Sequence, residues 1–378
     1  MAIRRVVITA YSACQAENVA AALAYEPEIL AFVGYGNFLS ENLRVRMNRF
    51  FHIRGIETLV TEPVMLDRGD LKGAKEKLRK LFERHAEHQT VVDLSGADPF
   101  LSMLLGCAMG NRPDRMLETV FYDIREGGFY PKVRRRRWIR NEMPQLSLEE
   151  LRYLQYGQAE RVSEADLVYG RNDLTPELVR EAPALTEMVA KDRAFWLETA
   201  ERIRADIPAV RDGRCEFFLD PSSARLREPD LAELEEQGIL SENGLMNGIR
   251  RIVFREACLP ELLRNAELLP ALGILIELAK VRRKNGKEAA FGNLALLRDG
   301  QIRAMYGCQE IFFLCPDELS LAAVCRFYAS SREREELPVR RILVNALGRA
   351  PAPDVVKFAS KLGIEIMARE RLISYAAP

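Results

Sequence analysis

The densest charge in the sequence is Lys132-Val-Arg134-Arg135-Arg136-Arg137-Trp138-Ile-Arg140. Six of these nine residues are cationic, with an aromatic ring inside the run. Lysine and arginine neutralise phosphates and an indole stacks on a base, so the run suits a nucleic-acid backbone, RNA or DNA. It equally suits a solvated edge strand, whose charge discourages further pairing. Strand alternation would then put Arg134 and Arg136 on one face and Arg135 and Arg137 on the other.

Two turns could hold an anion. Ser12 and Asn18 flank the first strand-to-helix turn, where they either offer polar contacts or simply cap the helix. Ser95-Gly96-Ala97-Asp98-Pro99 follows an apolar strand and reads as an N-cap aspartate with proline in the first turn. Free N–H groups at such a helix start attract anions, but Asp98 already occupies the positive end. Gly34-Tyr35-Gly36-Asn37 lacks the third glycine of a dinucleotide fingerprint and reads as a bare turn. His85 and His88 fall on a charged helical pattern and are expected at the surface. The seven cysteines form no CxxC pair, and Cys308 and Cys315 lie in apolar runs, so free thiols in the core are expected rather than disulfides or a zinc ribbon.

The elements that must position these residues give an α/β protein in three parts. Residues 1–140 alternate strand and helix: strands at 6–10, 28–33, 90–94 and 117–122, and helices at 18–25, 39–51, 70–88 and 98–109. That order gives a mostly parallel, Rossmann-like sheet with helices on both faces, whose ligands bind at the carboxyl ends of the strands. Residues 141–270 read as a helical or winged-helix-like connector, with helices at 146–155 and 176–206 and the segment LAELEEQGIL. Residues 271–378 return to α/β, with a helix at 272–280 and strands at 292–297 and 301–306 joined by Arg298-Asp299-Gly300. Strands at 311–315, 339–344 and 364–367 then alternate with helices at 319–328 and 355–362.

Composition narrows the classes. Of 378 residues, 48% are apolar and 29% charged, as in a soluble globular chain of two or three domains. Fifty-five basic residues balance fifty-five acidic ones, so a polyanionic partner would need a local patch. Three histidines make histidine-based metal sites and Ser-His-Asp catalysis poor candidates. No apolar run reaches the ~18–20 residues of a membrane span, and Arg4-Arg5 with its apolar stretch reads as a first strand rather than a signal peptide. A cytoplasmic protein without a membrane partner is expected.

Four stretches in order, VVITAYSACQAENVAAALAYEPEILAFVG, VVDLSGADPFLSM, GNLALLRDGQIRAMYGC and FASKLGIEI, resemble the CRISPR-associated endonucleases that join a CARF domain (CRISPR-associated Rossmann fold) to a restriction-endonuclease-like domain. The resemblance implies a homodimer whose paired CARF domains bind a cyclic oligoadenylate second messenger. It implies C-terminal domains that cut nucleic acid with a divalent metal. Carried over by position, the ligand contacts are Ser12, Asn18, Ser95, Gly96, Ala97 and Asp98. The family's loop typically reads Thr-Gly-Gly-Thr-Lys; here Ala97 replaces a glycine, Asp98 a threonine and Pro99 the lysine.

The nuclease positions depart further. Such sites need a glutamate from a helix, an aspartate at a strand start and Glu-x-Lys on the next strand, to hold Mg²⁺ or Mn²⁺ and activate water. Glu277 fits the first, but the aspartate falls on Asn293 and the Glu-x-Lys on Tyr306-Gly307-Cys308. The expectation is a degenerate member with no catalytic residues, no metal and no cofactor, Mg²⁺ or Mn²⁺ entering only if the nuclease is active. Its role would be a sensor or regulator in antiviral defence, binding a nucleotide messenger, nucleic acid or both. Two other readings are an active metal-dependent nuclease activated by cyclic oligoadenylate, and a DNA-binding transcriptional regulator.

Overall fold

Short apolar strands alternating with amphipathic helices build the N-terminal half of the chain. A computed structural model describes residues 4–61, 63–110, 116–131, 138–140, 144–157, 166–209, 214–282, 289–316, 318–331, 339–345 and 350–375. The order is β1 (Arg5–Ala10), α1 (Gln15–Tyr25), β2 (Ile29–Tyr35), α2 (Glu41–Ile53), β3 (Leu59–Val60), β4 (Val64–Leu66), α3 (Leu71–Arg84), β5 (Gln89–Asp93), α4 (Pro99–Met109), β6 (Leu117–Asp123) and β7 (Gly128–Tyr130). The sheet runs β3-β2-β1-β5-β6-β7, with β4 also on β2. All pairs are parallel except β6 with β7.

The twofold alternation of strand side chains divides the core in two. Val7, Leu30, Phe32 and Val91 pack under the alanine-rich α1 and under α2. Their neighbours Val6, Ile8, Ala31, Val33 and Val92 pack under α3 and α4. Both faces are thus covered, as the near-continuous apolar strands require.

The second half continues with α5 (Leu148–Tyr156), β8 (Leu167–Gly170), α6 (Pro176–Lys191), α7 (Arg193–Asp206), β9 (Glu216–Leu219), α8 (Glu228–Glu236), β10 (Leu240–Met246), β11 (Ile249–Phe254), α9 (Leu259–Arg264) and α10 (Leu269–Lys280). It ends with β12 (Gly292–Leu297), β13 (Gln301–Tyr306), β14 (Gln309–Leu314), α11 (Leu321–Ser331), β15 (Val339–Asn345), α12 (Pro353–Lys361), β16 (Ile364–Ala368) and α13 (Arg369–Tyr375). Its main sheet runs β16-β15-β14-β13-β12-β8, parallel among β14, β15 and β16 and antiparallel elsewhere.

The described elements of residues 141–270 pack into two cores. The helix α5 buries Leu148, Leu151 and Leu154 in the N-terminal core, while β8 pairs with β12 and completes the C-terminal sheet. The small sheet β10-β11-β9 and helices α6 to α9 share one core with Leu296, Ile311, Phe313 and Ile342 of the main sheet. The single helix expected over 176–206 is two, broken where the Asp192 side chain accepts the Phe195 N–H and caps α7. The segment LAELEEQGIL is α8 followed by a wing-like hairpin, but α8 (EPDLAELEE) contains no lysine or arginine.

Candidate functional site

The carboxyl ends of β1, β2 and β5 lie side by side, and the turns that follow form one edge of the N-terminal sheet. Gly96 explains how closely they meet. A Cβ there would lie 2.4 Å from the Ala10 carbonyl oxygen and 2.7 Å from the Ser12 nitrogen, so only glycine lets the 94–98 turn rest on the 10–12 turn.

Asn18 is wholly buried and acts as a clamp. Its Oδ1 accepts the Ser12 N–H at 2.8 Å, and its Nδ2 donates to the Ser12 carbonyl at 2.7 Å and to Gln15 Oε1 at 2.9 Å. Neither end of the amide is left for a ligand. Ser12 Oγ accepts the Cys14 N–H at 3.1 Å. The exposed surface of this turn is therefore made by Ser12, Ala13 and Tyr11, whose ring packs on Phe38 with centroids 4.9 Å apart.

The second turn hangs from a buried carboxylate that the sequence reading passed over. Asp93 is fully buried at the end of β5. Its Oδ2 accepts from Thr9 Oγ1 at 2.8 Å, and its Oδ1 from the Ser95 N–H at 3.0 Å and from the Ser95 hydroxyl. Burial pushes its carboxyl up to about 6, against these hydrogen bonds, with the nearby Glu17 charge adding to the rise. Burial raises Glu17 too, the Ser12 hydroxyl opposing it and the Asp123 charge assisting. Ser95 Oγ in turn accepts the Tyr122 N–H at 2.8 Å.

Asp98 caps α4 as expected, its Oδ1 accepting the Leu101 N–H at 2.7 Å. It is not an unmatched charge: Arg68, from the turn after β4, ion-pairs with it. The Arg68 guanidinium also lies 4.4 Å from the centroid of Tyr35. Sequence reasoning missed Arg68 because β4 is a three-residue strand with no periodic signal. The structure thus brings together Ser12, Asn18, Ser95, Gly96, Ala97 and Asp98. Of these Asn18 is committed inward, and Arg68, Tyr11, Asp93 and Glu17 join the edge.

The positions matched to a nuclease are not brought together. Gly292 pairs with Met305, Met305 with Glu310 and Glu310 with Val339, the first residue of β15. Asn293 and Tyr306 therefore lie at the edge where β12 and β15 begin. Glu277 instead meets Arg369, which follows the last residue of β16, at the opposite edge; its Oε1 accepts from Arg369 Nε at 2.8 Å. Asn293 is exposed with a φ of 45° beside a β-bulge. Tyr306 is buried on Phe291, their centroids 5.7 Å apart.

Cys308 is furthest from a catalytic setting. It is wholly buried in the N-terminal core, its N–H donating to Tyr122 Oη at 3.3 Å and its Sγ 3.6 Å from the Pro144 carbonyl. Burial pushes its thiol up to about 12. A hard divalent cation needs several carboxylate or carbonyl oxygens. These residues do not converge on one, and among the described residues no group of three His, Cys, Asp or Glu side chains could hold a metal ion.

Of the basic run, Lys132, Arg134, Arg135, Arg136 and Arg137 lie outside the described residues. Trp138 is half-buried against the N-terminal core. Arg140 pairs with Glu26 at 3.0 Å and donates its backbone N–H to Ala24. Two other expectations are corrected. His85 is only 5% exposed, because it ends α3 and turns back against the fold, where it packs 5.8 Å from His88. All seven cysteines are free, but Cys107 and Cys325 are exposed and Cys315 is only half-buried, where the edge of the C-terminal sheet opens. No described helix is long and apolar enough to cross a membrane.

No protein-family profile and no curated protein matches the sequence. Solved structures do match the fold. Can2 from Sulfobacillus thermosulfidooxidans, solved in complex with cyclic tetra-adenylate (cA4), aligns at a TM-score of 0.55 and 8% identity over 98% of this chain and 99% of that one. Protein VC1899 from Vibrio cholerae aligns at 0.54 and 12% identity over 98% and 96%. At such identities the likeness speaks for architecture alone: the chain shares the fold of these two proteins, a Rossmann-like sheet followed by a C-terminal α/β domain.

Proposed function

We propose that the protein is a sensor or regulator whose N-terminal domain binds a nucleotide messenger and whose C-terminal domain has lost nuclease chemistry. The observation that carries this reading is the burial of Cys308 and Tyr306. Where the resemblance asks for a carboxylate and a lysine facing a metal, the β13–β14 hairpin instead seals the seam between the two halves. A metal-dependent cut needs several carboxylates facing an open site, whereas at the positions matched here Tyr306 and Cys308 are buried and Asn293 is neutral.

For the messenger, the supporting features are the paired turns at the sheet edge, Arg68 and the aromatic pair Tyr11 and Phe38. The edge also carries Glu17, Asp98 and Asp123, which suit the amino groups of bases better than phosphates. The complex of the similarly folded Can2 with cyclic tetra-adenylate makes a cyclic oligoadenylate the first candidate. Such a ring presents the same groups to two copies, and a homodimer follows. The helix α4 has no charged residue and exposes Pro99, Met103, Gly106 and Cys107, a face suited to a second copy. Free thiols throughout fit a cytoplasmic setting, and the setting proposed is antiviral defence. The transcription-regulator reading loses ground, because a helix without cations next to the wing does not favour a phosphate backbone.

The test is calorimetric titration with cyclic tetra-adenylate, and separately with short RNA and duplex DNA, with and without Mn²⁺, alongside a cleavage assay. Saturable binding of the cyclic nucleotide at one ring per two chains, without cleavage, supports the proposal. Mn²⁺-dependent cleavage lost in Glu277→Ala would refute it. So would salt-sensitive binding of RNA or DNA without any response to the cyclic nucleotide.

A further inference from the structure

Three cations of the second half line one pocket. Arg171 opens the turn after β8, Lys280 is the last residue of α10, and Arg282 stands two residues beyond it. The pocket holds about 240 Å³, and its other walls are Leu174, Val179, Ile276 and Ala279. No carboxylate is among the residues that line it.

Part of this charge has a structural explanation. The carboxyl end of a helix attracts cations, and Arg282 Nη1 donates to the Ala279 carbonyl at 3.0 Å. That accounts for the two cations at the end of α10. It does not account for Arg171, which comes from another element and is half-buried. The carboxylate of its own turn, Asp173, is committed to the Gly170 N–H at 2.6 Å. Among the described residues Arg171 makes no ion pair. Burial pushes its guanidinium below the usual value, and the charge of Arg282 pushes it further the same way. Like charges held around a partly dry pocket repel one another, and no acidic side chain of the lining offsets them. A bound anion would.

The lining also says which anion. Guanidinium groups present paired N–H donors that match phosphate oxygens. Arg171 Nη2 is shielded from solvent, so contact with a ligand falls to its Nε and Nη1. Three cations favour a dianion over a monoanion, and a phosphate monoester carries about −1.5 to −2 charge at neutral pH. The apolar floor suits a short nonpolar body, and the volume, below that of drug-sized pockets, keeps that body small.

We propose that this pocket binds a small phosphate monoester, with its phosphate among Arg171, Lys280 and Arg282 and its body on Leu174, Val179 and Ile276. The site shares no residue with the nucleotide edge, and the inference stands whether or not that edge binds a messenger.

The probes are phenyl phosphate, the isosteric monoanion phenyl sulfate, and inorganic phosphate, which lacks the apolar body. Binding to the full chain is measured by calorimetry at pH 7.5 and constant ionic strength, with probes up to about 10 mM to cover millimolar affinity. Phenyl phosphate should bind saturably, about tenfold tighter than phenyl sulfate and several-fold tighter than inorganic phosphate. Arg171→Gln and Arg282→Gln should each weaken phenyl phosphate about tenfold, the loss expected for a hydrogen bond between charged groups. Lys75→Gln, on the exposed face of α3, should leave binding unchanged. Should Arg171→Gln fail to fold, Arg282→Gln, at an exposed side chain, decides the matter with the contrast between phosphate and sulfate. No saturable binding of phenyl phosphate, equal affinity for it and either other probe, or unchanged affinity in a folded Arg171→Gln or Arg282→Gln variant would overturn the proposal. An equal loss in Lys75→Gln would overturn it too, since the response would then be to net charge alone.

Discussion

Asp93 offers the sharpest test of how the N-terminal edge is held. Its carboxyl rises from 3.8 to about 6 because it is fully buried, even though Ser95 and Thr9 donate hydrogen bonds to it. The gap is about two pKa units, and each unit is worth about 1.4 kcal/mol. Ionised Asp93 thus costs the fold about 3 kcal/mol relative to the protonated form. Because the folded value is the higher one, its stabilising effect is complete below about pH 3.8 and is lost as pH rises through about 6. Asp93→Asn stays neutral throughout and keeps an acceptor for the Ser95 N–H. Geometric losses in the variant add a constant offset that does not vary with pH. The quantity to follow is therefore the difference in unfolding free energy between variant and wild type, measured by urea denaturation from pH 4 to pH 7.5. It should move in the variant's favour by about 2.5 kcal/mol across that window, which opens just above the unfolded value, and then level off. A difference that stays flat would show that Asp93 titrates as an exposed carboxylate does, and that the 94–98 turn is not hung from a buried charge.

Three other outcomes follow. Gly96→Ala would drive a methyl into the backbone of residues 10–12 and should cost about 2 kcal/mol or more, read as a fall in urea midpoint, with messenger binding lost as the turns separate. Asp98→Asn keeps the cap of α4 but frees Arg68 from its partner; calorimetry should show stability within about 1 kcal/mol of wild type and several-fold tighter binding of an anionic nucleotide. Tyr122→Phe leaves the buried Cys308 N–H without an acceptor and should cost about 1–3 kcal/mol, with amide exchange at 307–309 speeding more than exchange in β1.

Much of the architecture was legible in order and period. The strands at Gly292–Leu297 and Gln301–Tyr306 follow directly from apolar runs around Arg298-Asp299-Gly300, and the α4 cap from Asp98-Pro99. The hairpin of β10 and β11 was legible too, in Asn247-Gly248, both at positive φ, but its signal was not read. The four-residue β8 was not legible, since its role depends on β12, more than a hundred residues away. The candidate site divided in the same way. Ser12, Ser95 and Gly96 were found from their place after strands. Asn18 could be read either as a ligand contact or as a cap, because a wholly buried amide and an exposed one look alike in sequence. Arg68 reaches the site from a short strand's turn, and the sealing of Cys308 depends on Tyr122, which the chain meets 186 residues earlier.

The burial of the β13–β14 hairpin tip also bears on modularity. Met305 and Cys308 fill space among N-terminal residues such as Tyr122, Phe129 and Leu146, and Leu146 donates its N–H to the Gly307 carbonyl. Cutting the chain after α5 would leave the first half with a hole where those two side chains sat, and an unmatched donor at its rim. Swapping either half for that of a relative would demand a matching plug. Substitutions on the two sides of this seam should therefore have been accepted in pairs, tying the histories of the two halves together.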